Sequence, residues 1–209
     1  MTKSDNRLSG LYVITDDKLC GSSLIEDVRA ALKGGASLVQ YRSKTHQATS
    51  KEITARSLLE LCREHQVPLL INDDVALAAT IGADGVHLGQ GDTQLADARR
   101  QLGEEAIIGI TCHASLDLAE HAEKQGASYV AFGRFFDSQT KPDASPANIE
   151  LLSAAKQQLT IPICAIGGIT PDNAPMLIES GADILAVIHG VFGQDNIKEA
   201  AQHYSQLCV

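Results

Sequence analysis

The run Gln40-Tyr41-Arg42-Ser43-Lys44 sets two cations and an amide at alternate positions. In extended chain, residues two apart share a face, so Gln40, Arg42 and Lys44 point together. On an inward face such a set is costly unless an anion meets it. A diphosphate would do so, and Arg binds it through parallel N–H bonds. The same residues admit a plainer arrangement, with Arg42 paired to an internal carboxylate and Lys44 in water. Farther along, Asn72-Asp73-Asp74 closes one apolar run, and His87-Leu88-Gly89-Gln90-Gly91-Asp92 follows the next. If Asp73 and Asp92 meet at one rim they suit Mg2+, which takes a few oxygen ligands and keeps waters and substrate phosphates. Helix capping is the competing role for Asp73 and the preferred one for Asp74. His87 reads as a hydrogen-bonded interior histidine rather than a ligand.

The second half of the chain offers hydroxyls, glycines and one more cationic loop. Ile110-Thr111-Cys112-His113 brings the Thr111 hydroxyl to a strand end. A Cys112–His113 nucleophilic dyad is disfavoured, because strand neighbours point to opposite faces. Gly133-Arg134-Phe135-Phe136-Asp137-Ser138-Gln139-Thr140-Lys141-Pro142 is a polar segment in which Ser138, Thr140 and Lys141 could close over phosphate. An ordinary turn ended by Pro142 is the alternative. Gly167-Gly168 and Ile188-His189-Gly190 end the last two apolar runs. Paired glycines let backbone N–H groups approach an anion. Neither G-x-G-x-x-G nor G-x-x-x-x-G-K-[ST] is present, which removes the usual nucleotide-loop readings.

These segments need a scaffold that brings distant strand ends together. Eight short apolar runs begin near Leu11, Ser37, Pro68, Gly85, Ile107, Tyr129, Ile161 and Ile184. Most are continuously apolar, as parallel strands covered on both faces are. Between them lie helical patterns, among them 50–66 and 115–125. A third is predicted to open on Thr170-Pro171-Asp172, with Thr170 as cap and Pro in the first turn. A last helix is expected from Asn196 to about Leu207. Gly-Ala pairs at 35, 82, 126 and 181 precede four of the strands, where a glycine can supply a left-handed helix cap. Eight strand–helix units, with the candidate chemistry at the C-terminal ends of most strands, predict an α/β fold, the (β/α)8 TIM barrel. An open doubly wound sheet is the alternative. One domain is expected over residues 1–209, with its core at about 10–208 and a polar N-terminal segment at 1–9.

Composition narrows the class of partner. The 209 residues are 44% hydrophobic and 21% charged, carry no Trp, and have a formal net charge of −9. That sign argues against broad nucleic-acid binding but not against a local anion site. No run approaches the ~20 apolar residues of a membrane helix, and no leader pattern is evident. The five cysteines, none in C-x-x-C spacing, read as reduced thiols. A cytoplasmic protein acting on two phosphorylated small molecules, with neither nucleic-acid nor membrane partners, is the expectation. The oligomeric state is left open, a homodimer among the options.

Taken together, LYVITD, VQYRSK, LLINDD, DGVHLGQGD, IIGITCH, YVAFGRFFDSQTKP, PICAIGGIT and GADILAVIHGVFG resemble the thiamine-phosphate synthase (thiamine-phosphate pyrophosphorylase) family, in its order, from Leu11 to Gly193. The resemblance implies a transferase that joins an aminopyrimidine diphosphate to a thiazole phosphate, or its carboxylated form, with loss of pyrophosphate and help from Mg2+. It implies that Gln40, Arg42 and Lys44, with Tyr41 and Ser43 in the same run, Asn72, Thr111 and Lys141 bind the pyrimidine diphosphate. Arg42 and Lys141 would neutralise the leaving group. Ser138, Gln139, Thr140, Gly168, Ile188 and His189 would take the thiazole phosphate, and Asp73 and Asp92 the metal. Arg134 and Asp137 depart from a family pattern that often has Pro, and His189 stands where Ser is common. A thiazole tautomerase related to this family and a non-catalytic phosphate-ligand barrel are the competing readings. The diphosphate and metal residues speak against the tautomerase.

Overall fold

The computed structural model describes residues 8–44, 47–137 and 146–208. Eight parallel strands lie in chain order: β1 (Gly10–Ile14), β2 (Leu38–Tyr41), β3 (Leu69–Asn72), β4 (Gly85–Leu88), β5 (Ile107–His113), β6 (Tyr129–Phe132), β7 (Ile163–Ile166) and β8 (Ile184–Val187). They close into a barrel. The closing pair sets Tyr12 of β1 opposite Ala186 of β8, so the open-sheet alternative is excluded. The helices are α1 (Asp17–Cys20), α2 (Leu24–Lys33), α3 (Ala48–Glu64), α4 (Val75–Ile81), α5 (Leu95–Leu102) and α6 (Leu116–Lys124). After β6 come α7 (Glu150–Gln158), α8 (Ala174–Glu179), α9 (His189–Phe192) and α10 (Ile197–Leu207). No described helix is long and apolar enough to cross a membrane.

Strand alternation sorts the core into two layers. Leu11, Val13, Val39, Ile71 and Val130 face outward and meet helix residues such as Leu58, Leu59 and Leu152. Each such fully buried aliphatic side chain contributes about 1.5–3 kcal/mol by leaving water. Tyr12, Ile14, Leu38, Leu70, Tyr129, Ala131, Cys164, Ile184 and Ala186 fill the barrel interior. β2, β6 and β8 are buried at every position, which is why their sequences show no polar alternation. Gly109 of β5 leaves space for a neighbour: a Cβ there would fall 2.0 Å from the Tyr129 ring.

The Gly-Ala punctuation works as read. Gly35, Gly82, Gly126 and Gly181 all have positive φ, from +68° to +115°, and at Gly82 the N–H returns to the Ala78 and Ala79 carbonyls to end α4. Asp74 caps the same helix at its start, its side chain accepting from Leu77 N–H at 2.9 Å. The last helix runs from Ile197 to Leu207, within one residue of the expected range, and Asn196 caps it by accepting from Glu199 N–H. Helix α3 begins and ends two residues earlier than the sequence pattern suggested.

One cap is corrected. Thr170 does not open a helix; Thr170 and Asn173 close a turn reciprocally, Thr170 N–H donating to Asn173 Oδ1 and Asn173 N–H to Thr170 Oγ1. Helix α8 starts only at Ala174 and carries Pro175, not Pro171, in its first turn. The physical reason is that Pro175 lacks the N–H that a helix opening at Thr170 would donate to the Pro171 carbonyl.

Candidate active site

The C-terminal ends of the strands surround a cavity of about 760 Å³. Gln40, Arg42, Lys44, Asn72, Asp73, Asp92 and Thr111 line it, together with Gly168, Ile188 and His189. Segments separated by as much as 149 residues in sequence thus reach one chamber, because a barrel turns every strand's C-terminal end to the same face.

Its floor is a chain of hydrogen bonds across the interior. Gln40 Nε2 donates to the Tyr12 hydroxyl at 2.5 Å, and the Tyr12 and Tyr129 hydroxyls lie 3.0 Å apart. His87 Nδ1 is 2.8 Å from Tyr129 Oη, and His87 Nε2 is 2.8 Å from Thr111 Oγ1. Both imidazole nitrogens are therefore engaged, as expected for an interior histidine. The ring also stacks on Tyr129, centroids 5.6 Å apart. Burial pushes the Tyr12 and Tyr129 hydroxyls well above their usual titration range, so both stay neutral. Sequence reasoning missed both tyrosines. Their signal was a hydroxyl-bearing residue inside an aliphatic run, Tyr12 in LYVIT and Tyr129 in YVAFG.

Asp73 and Asp92 form one wall. Burial raises the Asp73 pKa above the usual carboxylate range, and a hydrogen bond with Asp92 and its charge raise it further. Asn72 and Lys44 act in the opposite direction; Asn72 Nδ2 donates to Asp73 Oδ2 at 2.6 Å. Asp73 adopts φ of +61°, a left-handed conformation that Asp tolerates better than most residues. Asp92 Oδ2 also accepts from Gly89 N–H at 2.7 Å. Two apposed carboxylates are a donor set that fits a divalent cation. Among the described residues no group of three or more His, Cys, Asp or Glu side chains is arranged for a metal. A cation on this pair would complete its shell with water or substrate oxygens.

Arg42 stands beyond the end of β2. Its backbone N–H donates to Thr15 Oγ1 at 2.9 Å. Its Nη1 lies 3.5 Å from Asp16 Oδ2, with both side chains more than four-fifths buried. Arg42 therefore has the internal carboxylate partner and also lines the chamber. Tyr41 does not join it. The next side chain along the strand turns outward, and Tyr41 is buried in the layer between sheet and helices. Ser43 also faces away from the chamber, donating to Asp17 Oδ2 at 3.1 Å and lining a neighbouring depression with Lys51, Thr93 and Gln101. Taking the whole run 40–44 as substrate-facing overrode the two-residue period that separates these side chains.

The opposite wall is backbone. Gly167 and Gly168 have φ of +105° and +65°. A Cβ on Gly168 would fall 2.4 Å from the Asp137 carbonyl oxygen. Only glycine lets this turn pack against the segment after β6. Ile188 and His189 face the glycines from the end of β8. Ser138, Gln139, Thr140 and Lys141 lie outside the described residues. Cys112 is buried in the outer layer and its thiol is pushed up to about 12, so the unfavoured Cys–His dyad has no support.

Comparison with known proteins agrees with this geometry. A curated thiamine-phosphate synthase from Marinobacter nauticus is 59% identical over 185 residues, covering 88% of this chain and 83% of that protein. One from Alcanivorax borkumensis is 51% identical, covering 96% and 94%. The structure of thiamine phosphate pyrophosphorylase from Pyrococcus furiosus superposes with a TM-score of 0.87 at 35% identity, over 95% of each chain. The thiamine monophosphate synthase family matches residues 11–191, and the chain belongs to that family of transferases.

Proposed function

We propose that the chamber joins an aminopyrimidine methyl diphosphate to a thiazole phosphate, giving thiamine phosphate and pyrophosphate. The observation that carries the reading is the opposition, within one chamber, of two anion sites of different make. Arg42 and Lys44 stand beside the Asp73–Asp92 pair, and a glycine backbone turn faces them. The names of the similar proteins support the same reaction.

The reaction needs no side-chain nucleophile. The carbon–oxygen bond to diphosphate breaks, leaving a pyrimidine methylene cation stabilised by its electron-rich ring. The thiazole nitrogen then supplies the electron pair of the new carbon–nitrogen bond. Asp73 and Asp92 would hold Mg2+, which supplies charge neutralisation of the departing diphosphate. Arg42 and Lys44 bind its oxygens directly. Gln40 and Thr111, the two ends of the tyrosine–histidine chain, orient the pyrimidine ring. The glycine turn, with the Ile188 and His189 backbone, receives the thiazole phosphate. The family resemblance adds Lys141 to the diphosphate side and Ser138, Gln139 and Thr140 to the thiazole side. Alignment of the partners and preorganised charge are then the source of rate.

The test incubates the protein with both substrates and MgCl2 and follows pyrophosphate and thiamine phosphate. Stoichiometric formation of both, lost when either substrate is omitted or EDTA is added, is expected. Isomerisation of a thiazole carboxylate phosphate without pyrophosphate release would instead establish the tautomerase reading.

A further inference from the structure

Arg134 gives the glycine side of the chamber a cation of its own. Among the described residues lining the chamber, Arg42 and Lys44 stand at the end of β2, and Arg134 is the Lys or Arg on the β6–β8 side. Its backbone is fixed. The N–H groups of Phe135 and Phe136 donate to the Ile166 and Gly167 carbonyls at 3.2 and 3.0 Å, and Ala147 N–H donates to the Arg134 carbonyl at 2.7 Å. A Cβ on Gly167 would fall 2.3 Å from Arg134 Cβ, so the arginine cannot drift from the glycine turn without breaking this pairing.

The Arg134 side chain is only 16% exposed. Its Nη1 donates to Asp137 Oδ1 at 2.6 Å and lies 3.5 Å from the Phe136 carbonyl. The Asp137 carboxylate is fully exposed, and ion pairs to such groups are weak and screened by salt. A dianionic phosphate arriving beside the glycines is a stronger partner for a guanidinium, which can grip it with two N–H bonds.

We infer that Arg134 is a specificity-determining residue for the second substrate: it binds the phosphate monoester against the Gly167-Gly168 turn, and Asp137 competes for it. The inference rests on the function proposed above and adds a side-chain charge to a wall that the described residues otherwise build from backbone.

Steady-state kinetics with each substrate varied in turn test it on the wild type, Arg134→Gln, Arg134→Lys and Asp137→Asn. Pyrophosphate release by the wild type tests the proposed reaction separately. Arg134→Gln is expected to raise KM for the thiazole phosphate about tenfold or more, leaving KM for the pyrimidine diphosphate within about twofold of wild type. Inhibition by the non-phosphorylated thiazole alcohol should be equal in the two proteins. Asp137→Asn should lower KM for the thiazole phosphate. The inference is overturned if Arg134→Gln leaves that KM unchanged or weakens the alcohol equally. It is also overturned if Asp137→Asn raises KM as Arg134→Gln does, since the pair would then act only as a structural latch. If circular dichroism shows that Arg134→Gln does not fold, Arg134→Lys carries the test. Its loss of the planar fork should raise KM about threefold, and an unchanged KM overturns the inference.

Discussion

The carboxyls of Asp73 and Asp92, contributed by the end of β3 and the loop after β4, lie within hydrogen-bonding reach of one another. Burial and the neighbouring charge raise the Asp73 pKa, so the folded, metal-free protein keeps its proton to higher pH than the unfolded chain does. Linkage then fixes the sign. Where the folded state binds more protons, stability falls as pH rises, through the window between the unfolded and folded Asp73 pKa values. Asp73→Asn removes that loss. In EDTA at pH 7 its Tm is expected to exceed the wild-type value by on the order of 2 °C, while turnover drops by about 10²–10³. Such a trade of stability for function is common at active sites. A Tm equal to or below wild type at pH 7 would show that the pair is not strained in this way.

Asp92→Ala separates metal dependence from folding. Its carboxylate accepts from Gly89 N–H in an exposed loop, where water can replace the acceptor at little cost. The fold is expected to survive, with circular dichroism and Tm close to wild type. Mg2+-dependent turnover should be lost. Wild-type turnover by this variant in excess chelator would remove Asp92 from the metal site.

The tyrosine–histidine chain predicts a hierarchy among conservative changes. Thr111→Ser keeps the hydroxyl that meets His87 Nε2 at 2.8 Å and should retain activity within a few-fold. Thr111→Val keeps the shape but leaves the imidazole nitrogen without that partner. Tyr129→Phe takes a fully buried hydroxyl from both Tyr12 and His87. A buried polar group left unsatisfied costs about 1–3 kcal/mol, so both variants should lose stability of that order in urea denaturation. Loss of ring orientation should lower kcat/KM for the pyrimidine substrate by about tenfold as well. Equal kinetics for Thr111→Ser and Thr111→Val would mean that the hydroxyl plays no part.

Much of this was legible from local rules. The eight strands announced themselves as apolar runs, and the Gly-Ala pairs marked where helices turn back, because helix ends and strands obey short-range physics. Asp74 as a cap and His87 as an interior residue followed from the same reasoning. Contacts between remote segments were harder. Nothing near Tyr12 indicates that its hydroxyl meets Tyr129, 117 residues away, and nothing near Arg42 names Asp16 as its partner. Tyr41 shows the opposite error: the strand period places it outside the barrel, and treating its neighbours' chemistry as its own obscured this. Thr170 read as a cap because Thr-Pro-Asp opens many helices; Pro175, five residues on, moved the start to Ala174.

Gly168→Ala probes the backbone wall directly. At φ of +65° an alanine adopts a conformation that costs about 1–2 kcal/mol. Its methyl group would also sit 2.4 Å from the Asp137 carbonyl oxygen and 2.8 Å from the Phe136 carbonyl carbon. Neither atom is a flexible side-chain end, so the segment after β6 must move, and Phe136 N–H must give up part of its bond to the Gly167 carbonyl. The expected total is about 2–3 kcal/mol of lost stability in urea. Because the displaced backbone is the proposed phosphate wall, KM for the thiazole phosphate should rise about tenfold, and KM for the pyrimidine diphosphate, bound across the chamber by Arg42 and Lys44, should change far less. A variant that loses stability but keeps both KM values would place the phosphate elsewhere. One that raises both equally would mean that the two anion sites are not independent.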